Sequence, residues 1–230
     1  MSEPAPAHPL WRASPQRIAA SHIESFRLWV NARHGLQLQD YQALLDWSVA
    51  EQANFWDAVW ETSGVIAQHK GERVLIDADR MPGARFFPDA QLNFAQNLLR
   101  RNDDAIALHF WGEDRVQRSM SWRQLHAEVS RLQQALRSWG VMRGARVAAY
   151  MPNLPETVIA MLAATSIGAT FTSASPDFGT QGVLDRFGQT QPKVLIACDG
   201  YFYNGKTFSN LDKLAALVGQ LPSVARTVIV

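Results

Sequence analysis

The strongest constraint on this chain is the regular alternation of short apolar runs and helical patterns from Ser121 onward. Ser121 and Gln124 have the spacing of a capping box, and Trp122, Leu125, Val129, Leu132, Leu136 and Trp139 then step by three and four residues. That predicts one helix ending at Gly140. Arg146–Met151 follows as a nearly all-apolar run, the pattern of a strand buried on both faces. Asn153 reads as the cap of a helix over Pro155–Ile167, closed by Gly168. The order continues with a strand at Ala169–Ser173, a helix at Thr180–Phe187 and a strand at Val194–Cys198. A helix at Leu211–Leu217 and a strand at Thr227–Val230 complete it. Strands alternating with helices of these lengths predict right-handed βαβ units around a parallel sheet. Ligands of such sheets bind outside the C-terminal strand ends. Function is therefore to be sought in the loops Pro152–Pro155, Ser175–Thr180 and Asp199–Thr207.

The first 91 residues read differently, as helices and loops. Ser14-Pro15 looks like a helix start, Gly35 a helix end, and Ser48 with Glu51 a further capping box. Phe26, Trp29, Phe55, Trp56 and Trp60 fall at helical spacing and are read as packing residues. After the loop Pro82–Pro88 comes a short helix at Leu92–Arg101. Two strands then follow, Ala105–Trp111 and Val116–Met120, around the turn Gly112-Glu113-Asp114. The fold expected is α/β. It comprises a partial doubly wound, mostly parallel sheet with flanking helices (92–230), preceded by an N-terminal helical region (1–91).

Composition narrows the function. With 22 basic against 21 acidic side chains there is no net field to draw nucleic acid or an anionic membrane. The single cysteine, Cys198, excludes an intramolecular disulfide framework and a cysteine-based zinc cluster. His109 and His126 lack carboxylates at ligand spacing, so no metal site is expected. Met1–Pro9 lacks the apolar core of a signal peptide, and no apolar run approaches a membrane span, so a cytoplasmic protein is expected.

Residues Gly200 to Thr207, GYFYNGKT, satisfy the P-loop pattern G-x-x-x-x-G-K-[ST]. A P-loop wraps phosphate with successive backbone N–H groups and so has small residues at its centre. Here the centre holds Tyr201, Phe202, Tyr203 and Asn204. Three readings stay open at this point: a P-loop phosphotransferase, a loop without a ligand, or a basic residue, Lys206, reaching a phosphate beside aromatic rings.

Taken together, these segments resemble the adenylate-forming acyl-CoA synthetases. SVAEQANFWDAVWE (Ser48–Glu61) resembles the helical region that precedes their large domain, and ARFFPDAQLNFAQNLL (Ala84–Leu99) their FF-x-G-x-x-LN-x-x-x-N-L segment. Met120 to Pro192 is similar to the opening of the AMP-binding domain, including GVMRGARVAAYMPNLPETVIAMLAATSIGA and SPDFGTQGVLDRFGQTQPKVLI. Ser175-Pro176-Asp177-Phe178-Gly179, together with GYFYNGK, resembles the acetoacetyl branch. The resemblance implies ATP-dependent activation of acetoacetate to an acyl-adenylate with release of pyrophosphate. CoA then displaces AMP to give acetoacetyl-CoA, with Mg²⁺ offsetting the phosphate charge. It implies that Ser175, Pro176, Asp177 and Phe178 approach the adenine end of CoA. Tyr203, Gly205 and Lys206 would lie at its 3′-phosphate, where relatives have Arg-x-Gly-Arg and this chain keeps charge only at Lys206. Family members carry a Gly-rich phosphate loop ending in Lys, an aromatic-x-x-Thr-Glu segment, a ribose-binding Asp and a C-terminal catalytic Lys, none of them found here. These 230 residues are thus expected to be an inactive N-terminal fragment with no catalytic residue of its own, its missing partner being the rest of the enzyme. A noncatalytic CoA- or protein-binding module is the alternative from another class.

Overall fold

The structure, a computed structural model, describes residues 11–113 and 116–230. The reading of Met1–Pro9, and that of Asp114 in the first turn, lie outside the described residues. The chain divides into two compact units, Met1–Leu92 and Asn93–Val230.

The first unit holds helices α1 (Pro15–Ala19), α2 (His22–His34), α3 (Tyr41–Ala50) and α4 (Gln52–Ser63). Ser14, Ser21 and Asp40 each accept a backbone N–H from the first turn, which satisfies donors that a helix start leaves open. Gly35 and Gly64 close α2 and α4 in the left-handed conformation. The capping box expected at Ser48 and Glu51 does not form. Asp40 starts the helix eight residues before Ser48, whose hydroxyl instead donates to Leu45 O, and Glu51 sits at the α3–α4 joint with no side-chain cap. Val30, Leu44 and Ala58 are buried, and Phe55 meets Phe26, Trp47 and Trp56 edge-on with centroids at 6.0, 6.3 and 5.2 Å. Beyond the helices lie four short strands that the pattern did not reveal, β1 (Ala67–His69), β2 (Leu75–Ile76), β3 (Arg85–Phe86) and β4 (Gln91–Leu92). They pair antiparallel as β1 with β4 and β2 with β3. Runs of two or three residues are too short to show a period.

The second unit begins with α5 (Phe94–Leu98) and an antiparallel hairpin of β5 (Ile106–Gly112) and β6 (Val116–Ser121). Then come α6 (Trp122–Ser138), β7 (Arg146–Tyr150), α7 (Pro155–Ser166), β8 (Thr170–Ala174), α8 (Thr180–Thr190) and β9 (Val194–Ala197). A second hairpin, β10 (Gly200–Tyr203) and β11 (Lys206–Ser209), precedes α9 (Leu211–Val218) and β12 (Arg226–Ile229). The capping box at Ser121 and Gln124 forms with both hydrogen bonds. The cap predicted at Asn153 does not form: Leu154 is the N-cap, Pro155 opens α7, and the Thr157 hydroxyl donates to Pro152 O.

The α/β expectation holds. The central sheet runs β12-β9-β7-β8, every neighbour parallel. Side chains alternate across it with a period of two. Val147, Ala149, Val194 and Ile196 pack under α6 and α7, with Leu125, Val129, Leu136 and Ile159. Ala148, Tyr150, Leu195 and Ala197 face Val183 and Phe187 of α8 and Leu214 and Leu217 of α9. Both faces are covered, which is why these strands are apolar throughout. The chain leaves β7 for β8 on one side and returns for β9 on the other, so the strand order reverses beside β7. Such a switch point opens a crevice at the C-terminal strand ends.

Candidate functional site

A cleft of about 460 Å³ lies at that switch point. Its floor is made by Pro152–Leu154 after β7, by Cys198 and Asp199 after β9, and by Val230 after β12. The wall on one side is the β5–β6 hairpin with Phe110, Trp111 and Arg118, and on the other the hairpin base Gly200–Phe202. Arg118 donates from both terminal nitrogens to Glu156, each at 2.7 Å, and its guanidinium lies 5.6 Å from the Phe110 ring. The pair lowers the Glu156 carboxyl and raises the Arg118 guanidinium from their ordinary pKa values, chiefly through these hydrogen bonds. Cys198 is buried, and burial pushes its thiol up, so it is the small buried side chain and not a thiolate nucleophile.

Residues 200–209 settle the P-loop question. GYFYNGKT does not wrap a loop and no helix starts at Lys206. Gly200↔Ser209, Tyr201↔Phe208, Phe202↔Thr207 and Tyr203↔Lys206 are antiparallel partners. Asn204 and Gly205 form the turn with φ of 49° and 71°. Asn-Gly is the dipeptide such two-residue hairpin turns select, because both positions need positive φ. That signal was present in the sequence and was masked by the P-loop match. The reading of Asp199–Thr207 as a loop, and of Gly200–Thr207 as a phosphotransferase site, is therefore corrected: successive N–H groups in paired strands cannot converge on a phosphate. Gly200 is obligatory for close approach, since a Cβ there would sit 2.6 Å from Phe208 O. Asn210 follows the hairpin fully buried, its backbone N–H bonded to Asp199 O at 2.8 Å. It stands at the N-cap of α9 without a side-chain capping bond.

The turn Ser175–Phe178 lies after β8 and is closed by Phe178 N donating to Ser175 O at 3.1 Å. The buried Tyr150 hydroxyl, at the end of β7, is 3.0 Å from both Pro176 O and Phe178 O and donates to them. Lys213 of α9 adds a bond to Pro176 O at 3.3 Å. The Arg186 guanidinium of α8 sits 4.9 Å over the Phe178 ring. Burial raises the Tyr150 phenol pKa, with Tyr201, Cys198 and Asp177 adding to it. Neither Tyr150 nor Lys213 was singled out from sequence, because a strand-end tyrosine reads as core.

Ser175, Pro176, Asp177 and Phe178 thus end β8, whereas Tyr203, Gly205 and Lys206 form the tip of the second hairpin beyond β9. Among the described residues none of them lines the cleft, which is reached by the hairpin base instead. Phe178 and Tyr203 are exposed. Tyr201 and Phe208 stack across the hairpin with centroids at 5.3 Å. The His109 ring accompanies Ser119, and the His126 ring Leu99 O. Among the described residues no group of three His, Cys, Asp or Glu could hold a metal, and no helix is long and apolar enough to cross a membrane.

This architecture matches known proteins along its length. The family model described as acetyl-coenzyme A synthetase N-terminus matches residues 41–98. The acetoacetyl-coenzyme A synthetase of Rhizobium meliloti (strain 1021) is 52% identical over 222 residues, 96% of this chain and 34% of that protein. The acetoacetyl-CoA synthetase of Xenopus tropicalis is 37% identical, across 100% of this chain and 34% of its own length. A solved acetoacetyl-CoA synthetase from Streptomyces lividans superimposes with a TM-score of 0.91 at 40% identity, over 97% of this chain and 35% of that one. The chain thus spans about a third of the length of these relatives. The family model for AMP-binding enzymes matches residues 94–230, the whole parallel sheet with both hairpins, and by that match the chain belongs to the AMP-binding enzyme family.

Proposed function

We propose that this chain is the N-terminal portion of an ATP-dependent acetoacetate–CoA ligase. The observation that carries the reading is the 52% identity to an acetoacetyl-coenzyme A synthetase across nearly all of the chain. In the whole enzyme the acetoacetate carboxylate attacks the α-phosphorus of ATP to give acetoacetyl-adenylate and pyrophosphate, and the CoA thiol then displaces AMP to form the thioester. Adenylation gives the acyl carbon AMP as a leaving group in place of oxide, which the thiol could not expel.

Within this portion the residues serve CoA. Ser175, Pro176, Asp177 and Phe178 meet its adenine end, on a turn whose carbonyls Tyr150 and Lys213 hold in place. Tyr203, Gly205 and Lys206 form the second contact, where Lys206 supplies the one charge for the 3′-phosphate. The turn held by Tyr150 and Lys213 is in place before CoA arrives, which limits the ordering cost of binding at the adenine end. No residue here is assigned to the adenylation step. Mg²⁺ would offset the triphosphate charge of ATP. A cytoplasmic location accords with the single, buried cysteine.

The test is AMP formation from ATP that depends on both acetoacetate and CoA. The polypeptide encoded by the whole reading frame should show it, and this purified chain alone should not. Turnover by the chain alone, or a whole enzyme that ignores acetoacetate and uses another acid, would overturn the reading.

A further inference from the structure

The tip of the second hairpin carries an internal anion. Tyr203 and Lys206 are strand partners, so Asn204 and Gly205 alone form the two-residue turn. Their amides stand outside the strand ladder and so are open to another acceptor. That acceptor is Glu113, from the turn of the first hairpin. Asn204 N donates to its Oε1 at 2.6 Å and Gly205 N to its Oε2 at 3.0 Å. Two successive backbone N–H groups gripping both oxygens of one anion is the arrangement proteins use for phosphates. Lys206 is exposed on the adjoining position, and among the described residues it makes no ion pair. The tip therefore holds two amides with one carboxylate bound to them, and an exposed lysine on the next residue along the chain.

We propose that Glu113 is a built-in competitor at this tip. It fills the amide pair that a nucleotide's phosphate monoester would otherwise take, so ligand binding requires the two hairpins to part. The inference rests on the reading that the tip meets the 3′-phosphate of CoA. Glu113 lies 91 residues from Asn204 in sequence, so the contact exists only in the folded unit. A purely structural Glu113 and a competing Glu113 predict opposite signs. Removing a strut loosens the tip and weakens phosphate binding, whereas removing a competitor strengthens it.

The experiment is calorimetric titration of this chain with adenosine 3′,5′-bisphosphate and with adenosine 5′-monophosphate. Wild type is compared with Glu113→Ala and Glu113→Gln, each checked for native circular dichroism. The expected result is about 2- to 5-fold tighter binding of the bisphosphate by Glu113→Ala, the scale of an exposed charge contact, with the monophosphate unchanged. Glu113→Gln keeps an acceptor oxygen without the charge and should move the same way by less. Unchanged or weaker bisphosphate binding in Glu113→Ala overturns the competitor role. If wild type still prefers the bisphosphate in that case, the CoA reading of the tip survives. If no variant and no wild type distinguishes the two nucleotides, that reading fails and takes this inference with it.

Discussion

The Tyr150 hydroxyl lies 3.0 Å from the backbone oxygen of Phe178 and equally close to that of Pro176, so one buried phenol at the end of β7 fixes the turn that ends β8. A strand in the sheet centre thereby sets the conformation of the turn that follows its neighbour β8. The same turn is anchored from the opposite element by Lys213.

Tyr150→Phe removes the shared donor and leaves two carbonyls with less satisfaction. It should cost about 1–2 kcal/mol in urea unfolding near neutral pH, the scale of a buried hydrogen bond. The Tyr150 phenol pKa is raised by burial, so its stabilisation is complete below the ordinary tyrosine value and is lost as pH rises through the folded one. The wild type should therefore lose stability faster than Tyr150→Phe in melts above about pH 10. Parallel loss in both proteins would show that another group titrates.

Arg118 and Glu156 tie the β5–β6 hairpin to the first turn of α7 with two bonds of 2.7 Å. Both side chains are partly exposed. Glu156→Gln should lower stability by about 0.5–1 kcal/mol near pH 7, the upper part of the range for exposed pairs. The Glu156 carboxyl is held below its ordinary pKa mainly by the bond from Arg118. The stabilisation is therefore present above the unfolded-state value and fades as pH falls through the folded one. Thermal melts of the two proteins should converge as pH falls below the ordinary glutamate range. A gap that persists in acid would assign the loss to packing.

Gly200→Ala places a methyl group 2.6 Å from Phe208 O, a backbone atom that cannot swing away. The hairpin must open or shift, at a cost of about 1–3 kcal/mol. Near-ultraviolet circular dichroism should weaken as the stacked Tyr201–Phe208 pair separates. An unchanged spectrum with unchanged stability would show that the hairpin is not held at this distance.

Lys206→Ala in the whole enzyme should raise the apparent KM for CoA by about 3- to 10-fold, as loss of one charged phosphate contact does. The effect on 3′-dephospho-CoA should be smaller. An equal effect on both substrates would place Lys206 away from the 3′-phosphate.

How much of this was legible follows from the period of each segment. The apolar runs Arg146–Met151 and Val194–Cys198 read as doubly buried strands, and the structure packs both faces of β7 and β9. The capping box at Ser121 and Gln124 read correctly, because its bonds lie within four consecutive residues. Ser48 with Glu51, and Asn153, met the same local rule and failed. Asp40 had already started one helix, and Pro155 with Leu154 set the entry of another. The hairpin at Gly200–Ser209 was hidden because one octapeptide satisfied two patterns, and only strand pairing distinguishes them.

The sequence by itself determined the α/β class, the order of the parallel strands with the helices between them and the family resemblance, since these depend on periodicity and on local residue order. Only the tertiary structure decided that β9 returns beside β7 to open the cleft, that Tyr150 holds the Ser175–Phe178 turn, and that Glu113 sits on the amides of Asn204 and Gly205. Those contacts join residues separated by dozens of positions. Their energies arise from burial and from hydrogen bonds that no local pattern encodes.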